Sequence, residues 1–335
     1  MCLSFNVEMN LDMKNLALIT VGLIISTLTV AQTMTNGKDQ NIELGKVSWL
    51  RNYDEALKQS EKQGKPVLIL FQEVPGCSTC RNYGQNVLSH PLMVEAIENE
   101  FVPLAIYNNK GGHDGQILKR YNEPSWNNPV VRIVDSKGVD IVSRVSGNYS
   151  SKGLFTAMQR ALIQSNLPIP EYMQILKQEL GAVRNQNVQE KYYKMFCFWS
   201  GEGHLGLADG VLATEPGFMN GYEVVKVKFD QTKISESKLD KYAKSANCSV
   251  LEAKGQYRTD KDPQYYLKQT DYKFLPLTPL QKTKINSAIG QRKSPNKYLS
   301  PKQIEWLRII KSGNKGEILY TQDFQLAWDK MDMSS

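Results

Sequence analysis

Two cysteines stand in the run Cys77-Ser78-Thr79-Cys80, directly after an apolar stretch at 67–71 and ahead of residues with helix-forming character that reach to position 98. A continuous apolar run of that length, set off by a turn, reads as a buried strand. A cysteine at the strand-to-helix junction meets unpaired backbone N–H groups and the positive end of the helix dipole, and both favour the thiolate. The spacing therefore predicts a redox dithiol, with Cys77 attacking and Cys80 resolving. The competing use of such a pair is half of a zinc site. No second cysteine pair and no nearby histidine pair completes one, because the sequence contains only His90, His113 and His204.

The surroundings of the pair set the organisation. Helical spacing at 53–63 is broken by Gly64-Lys65-Pro66 before the strand at 67–71. Further strands are expected at 101–106, 130–134 and 139–145, with 108–128 irregular between them and an amphipathic helix closing the unit at 153–165. Leu167-Pro168-Ile169-Pro170 is extended by its prolines and reads as a seam between domains. Beyond a helical linker at 171–180, strands are expected at 191–196, 211–218 and 223–229, and helices at 201–208 and 236–245. Thr278-Pro279 and Ser300-Pro301 each place a cap before a first-turn proline, which predicts helices over 280–289 and 301–310. Trp306 and Leu307 are expected to pack back onto the second domain.

The chain has 335 residues, 41% hydrophobic and 9% aromatic, enough for two cored domains and against disorder or a fibrous repeat. Its net charge of +7 comes from interleaved Lys, Arg, Asp and Glu rather than one basic block, so no nucleic-acid partner is expected. Lys14, an apolar run at 16–30 and Ala31-Gln32 have the pattern of a secretory leader cleaved near Ala31, with Met13 as an alternative start. An uncleaved anchor is the rival reading, for which the run is short. Export to a periplasmic or other extracytoplasmic space follows. Of the five cysteines, Cys2 leaves with the leader. Cys77, Cys80, Cys197 and Cys248 are too few and too unevenly spaced for a disulfide scaffold, which points to redox chemistry. The expected division is a leader at 1–31, a linker at 32–46, a first domain at 47–166, a linker at 167–190 and a second domain at 191–335.

Over 47–165 this pattern resembles thioredoxin, with Asn128-Pro129 where that family places a cis proline against the dithiol. It departs from the family in carrying Gly-Cys-Ser-Thr-Cys for Trp-Cys-Gly-Pro-Cys, and Phe71 where the family has a buried Asp six positions before the first cysteine. The second domain resembles peptide methionine sulfoxide reductase A. The resemblance is carried by Cys197-Phe198-Trp199 with Glu202 three residues on, by Asp209-Gly210-Val211, by Glu223-Val224-Val225, and by Gly255-Gln256-Tyr257-Arg258. The fold class this implies is α/β: a thioredoxin-like three-layer fold followed by an α+β two-layer domain.

The second resemblance implies that Cys197 is the nucleophile and ends as a sulfenic acid. Phe198 and Trp199 would form the slot for the substrate methyl group, and Glu223, with the phenol of Tyr257, would be the buried acid that protonates the departing oxygen. Glu252 stands where the family has Asp, and Tyr222 substitutes for a phenol whose loop is missing here. Cys248 or Cys77 would resolve the oxidised Cys197. Neither a cofactor nor a metal is implied. The expected function is reduction of methionine S-sulfoxide, free or in oxidised proteins, with the first domain relaying electrons from an upstream thiol reductant, soluble or membrane-bound. The alternative is an extracytoplasmic thiol–disulfide oxidoreductase whose second domain is a degenerate, client-binding module. A third reading is a non-catalytic module that grips oxidised clients through Phe198 and Trp199.

Overall fold

The computed structural model describes residues 34–182, 186–252 and 255–334. The expected leader lies outside the described residues. After a short 3-10 turn at Ile42–Leu44, the first unit runs α1 (Tyr53–Gln63), β1 (Val67–Gln72), α2 (Ser78–Asn86), α3 (Pro91–Glu100), β2 (Val102–Tyr107), α4 (Gly112–Arg120), β3 (Val130–Val134), β4 (Val145–Ser146) and α5 (Ser151–Gln164). Its strands form one sheet in the order β2-β1-β3-β4, with β1 and β2 parallel and the other pairs antiparallel.

The apolar run behaves as its composition requires, with every residue of β1 buried. Val67, Ile69 and Phe71 face a cluster with Tyr53, Ile117 and Leu118 from α1 and α4. Leu68 and Leu70 face the opposite cluster with Leu92, Ala96 and Leu154 from α3 and α5. Helices therefore cover both faces, in three layers.

Three expectations change here. The single helix expected after Cys80 is two, because Pro91 cannot continue a helix and instead opens a new one. The segment 108–128, expected to be irregular, contains α4, whose Ile117 and Leu118 cover the sheet. The strand expected at 139–145 is reduced to β4 and an isolated bridge between Val134 and Asp140. A turn built on Asp135, which accepts from the N–H groups of Lys137 and Val139, takes the chain away from the sheet edge.

Then follow α6 (Glu171–Ala182), β5 (Val188–Lys194), α7 (Phe198–Leu205), β6 (Val211–Met219), β7 (Tyr222–Asp230), α8 (Glu236–Lys244), β8 (Ser249–Leu251), β9 (Arg258–Thr259), α9 (Tyr265–Lys268), α10 (Pro279–Gly290), α11 (Pro301–Lys311) and α12 (Phe324–Ser334). The strands form an antiparallel sheet in the order β8-β5-β7-β6-β9. One face carries α7 and α8 over a core of Tyr193, Val225, Val227 and Leu239. Among the described residues no helix is long and apolar enough to cross a membrane.

Two further expectations need correction. The stretch 167–190 does not merely link the halves, because α6 buries Tyr172, Met173, Ile175 and Leu176 in the same cluster as α3 and α5. Nor do Trp306 and Leu307 serve the second domain alone. They belong to that same continuous cluster, and α11 meets α3, where the Lys302 N–H donates to Glu95 Oε2 at 2.8 Å. The last helix is fastened to the first unit by Lys38 paired with Asp332 and Lys46 paired with Asp329, and to α11 by Lys302, which also pairs with Asp332. The caps at Thr278 and Ser300 form as the residue pattern predicts, and Gln281 and Gln303 close each into a capping box.

Candidate functional site

The dithiol sits where β1 gives way to α2. Cys77 is the N-cap of α2 and Cys80 lies in its first turn. Gly76 is required at the junction: a Cβ there would fall 2.3 Å from the Glu73 carbonyl oxygen and 2.8 Å from Cys80 Cβ. The loop is tied to the 3-10 turn at Ile42–Leu44, where buried Glu43 accepts from the Gly76 N–H at 2.9 Å. Gln72 reinforces this by donating to the carbonyls of Glu43 and Cys80 at 2.8 and 3.2 Å. Asn109 holds the loop from outside, accepting from the Val74 N–H at 3.4 Å and donating to the Pro75 carbonyl at 3.3 Å. The Val74–Pro75 and Asn128–Pro129 peptides are both cis.

Both thiols are reduced, with Sγ atoms 3.6 Å apart. Their environments differ sharply. Cys77 is exposed, and the Cys80 backbone N–H, the largest influence on it, holds its pKa below the ordinary thiol value. Cys80 is fully buried, and burial pushes it up to about 12. Its Sγ donates to Asn128 Oδ1 at 2.7 Å, the side chain that precedes the cis proline. Two thiols pushed apart in this way are suited to different tasks, the accessible one with the lowered pKa to attack and the buried, protonated one to resolution. Titrating alkylation by iodoacetamide against pH, read by peptide mass spectrometry, should show Cys77 labelled at a pH below that needed by free cysteine and Cys80 protected throughout. Equal labelling of the two would contradict this asymmetry.

Sequence reasoning missed two side chains here. Glu73 lies in the loop, with its carboxylate and both sulfurs within 4.8 Å of one another. Glu43 is far upstream and has no signal in the sequence. Among the described residues no further His, Cys, Asp or Glu joins the Glu73, Cys77 and Cys80 group, which leaves it a donor short of a closed four-coordinate metal site. Close by in the chain, Trp126 is 80% exposed in the loop that leads to Pro129.

Cys197 occupies the equivalent place in the second domain, as N-cap of α7 and half-buried. It lines a cleft of about 440 Å³ with Met195, Phe196, His204, Tyr266 and Gln291. The Phe198 N–H donates to Glu223 Oε2 at 2.9 Å, so that carboxylate caps the helix that begins at Cys197.

The other residues expected to join Cys197 do not converge on it. Side chains alternate along a strand, and β6 and β7 pair Phe218 with Glu223 but Glu215 with Lys226. Glu223 therefore shares the α7 face with Val225, whereas Lys226 lies on the opposite face. Tyr257 is on that opposite face, under Lys226 Nζ at 4.8 Å and beside the Tyr192 ring at 5.5 Å. Its hydroxyl donates to the carbonyls of Glu215 and Pro216 at 3.0 and 3.1 Å. The sheet thus separates Tyr257 from Glu223. Tyr222 is also on the far face, with Lys194 Nζ 4.6 Å from its ring. Glu252 is exposed beyond β8, while Tyr257 precedes β9 at the other edge of the sheet.

The expected aromatic slot is occupied by the protein itself. Phe198 is buried, edge-on to Phe218 at 5.3 Å, and Trp199 is stacked on Tyr265 at 4.1 Å and 12°. Within this domain, the acid that burial lifts toward neutrality is Glu202, up to about 8, with Oε1 accepting from the Gln264 N–H at 3.2 Å. Cys248 is buried in the core, where burial raises its thiol to about 11.

A sheet between two helical layers, a reduced Cys-x-x-Cys pair opening the helix after a buried strand, and a cis proline beside the buried thiol define a thioredoxin-like domain. Residues 48–136 match the thioredoxin-like family model, a match that ends before the second sheet. Among solved structures the chain is similar to a DsbH oxidoreductase, at 15% identity over 36% of this chain and 90% of that one, with a TM-score of 0.30. No curated protein matches the chain.

Proposed function

We propose that this protein is an extracytoplasmic thiol–disulfide oxidoreductase whose second domain holds client proteins. In the reducing direction the Cys77 thiolate attacks a client disulfide and releases one client thiolate. Cys80, once deprotonated, attacks Cys77 Sγ, releases the second client thiolate and leaves a Cys77–Cys80 disulfide for an upstream thiol reductant. Two electrons pass from the dithiol to the client. The observation that carries the reading is the pair itself: an exposed, acidified thiol 3.6 Å from a fully buried, protonated one. Exposed Trp126 offers an apolar anchor for a client, and Phe196, fully exposed beside Cys197, offers another on the second domain. The test is reduction of a protein disulfide such as insulin by the full chain with a thiol reductant in excess. Catalysis no faster than the reductant alone would reject the reading.

One observation favours a second reading. Cys197 opens a helix on a cleft, and a carboxylate, Glu223, hydrogen-bonds the next backbone N–H. That arrangement suits a nucleophilic thiol attacking a methionine S-sulfoxide, with the first domain as its reductant. The scattered phenols and the filled aromatic slot weigh against it. With dithiothreitol as reductant, turnover of a methionine S-sulfoxide that disappears in Cys197→Ser would favour this reading. Absence of turnover would leave the second domain as a client binder.

A further inference from the structure

We propose that Glu73 is the proton acceptor for Cys80 in the resolving step. The inference rests on the thiol–disulfide exchange reading above. Resolution requires the Cys80 thiolate, and burial opposes it. For a thiol raised to about 12, the thiolate fraction at neutral pH is on the order of 10⁻⁵. Asn128 Oδ1 accepts the Cys80 S–H at 2.7 Å, but an amide oxygen cannot take the proton away at neutral pH. Phe71 points into the apolar cluster with Ile117 and Tyr121 and offers no acid.

Glu73 is placed for the task. Its carboxylate lies within 4.8 Å of both sulfurs, a reach closed directly or through one water. The titratable groups that act on Cys80 are Cys77 and Glu73. Once Cys77 is bound in a mixed disulfide it carries no charge, and Glu73 is the remaining one of the two. Glu43, contributed by the 3-10 turn, is already engaged by the Gly76 N–H at 2.9 Å. Asp114, further along the sheet end, is paired with Arg51 at 2.7 Å. The loop carrying Glu73 is held at Val74 and Pro75 by Asn109. In the step itself the Cys80 proton passes to the Glu73 carboxylate and the Cys80 sulfur forms a bond to Cys77 Sγ. The Cys77–client sulfur bond breaks with its electron pair on the client, which takes the proton from Glu73 or from water.

The experiment is stopped-flow reaction of the reduced full chain, with Cys2 and Cys197 changed to serine, with the aryl disulfide dithiobis(nitrobenzoic acid). Attack by Cys77 releases one coloured thiolate and resolution by Cys80 releases the second. In Glu73→Gln the second phase is expected to slow by about 10²-fold at neutral pH and to become proportional to hydroxide, with Glu73→Asp recovering part of the rate. The first phase should hold or quicken, because the Glu73 charge opposes the Cys77 thiolate. A second phase in Glu73→Gln with the wild-type rate and pH profile overturns the proposal while leaving the dithiol reading intact. Failure of the parent chain to release a second equivalent overturns both.

Discussion

Replacing Cys77 with serine is expected to abolish exchange with protein disulfides, a loss of at least about 10³-fold, since an alkoxide is not available at neutral pH. Replacing Cys80 should have a different result. Cys80→Ser retains the exposed Cys77 thiol but removes the thiol 3.6 Å away that releases the client. The client should then accumulate as a mixed disulfide on Cys77, visible on a non-reducing gel and removed by dithiothreitol. If Cys80→Ser turns over as fast as the parent chain, Cys77 is not resolved from within its own domain, and Cys197 becomes the next thiol to test.

Trp306→Ala is expected to destabilise the whole molecule by about 3–5 kcal/mol, the range for removing a fully buried large aromatic side chain. Trp306 is 1% exposed, packs edge-on to Trp328 at 4.7 Å, and belongs to one continuous cluster with Leu70 of β1, Leu92 of α3 and Ile285 of α10. A cavity there removes contacts on both sides of the expected domain boundary. Denaturant titration should show a single transition moved to lower denaturant, and amide exchange in β1 and α10 should accelerate together. Two separated transitions, with β1 protection unchanged, would mean that the first domain is stable without the C-terminal helices.

Much of the first domain was legible in the residue order because its signals are local. An all-apolar run can only be buried on both faces, Gly64 and Pro66 bracket the turn before it, and a Cys-x-x-Cys pair after it meets a helix N-terminus whatever else the chain does. The missed α4 has a physical reason. Its mixed sequence takes its stability from Ile117 and Leu118 docking on the sheet rather than from helix propensity. The reading of the tail failed for a similar reason. The cap-and-proline pairs at Thr278-Pro279 and Ser300-Pro301 predicted where the helices begin, but a helix start says nothing about which domain covers its apolar side.

The second domain marks the limit more sharply. Short matches at Cys197, Glu223 and Tyr257 suggested one constellation, yet strand alternation puts Glu223 and Tyr257 on opposite faces of the sheet. The sequence alone determined the dithiol, its strand-to-helix setting and the capped helix starts, because each depends on neighbours in the chain, whereas the proline beside the dithiol was expected only from the thioredoxin resemblance. Tertiary structure decided the burial of Cys80, the approach of Glu73 and Asn128 to the sulfurs, the occupation of the Trp199 face by Tyr265, and the core shared across the two halves. These depend on which distant segments are brought together, and the free energy of that choice lies in apolar burial, which has no direction along the chain.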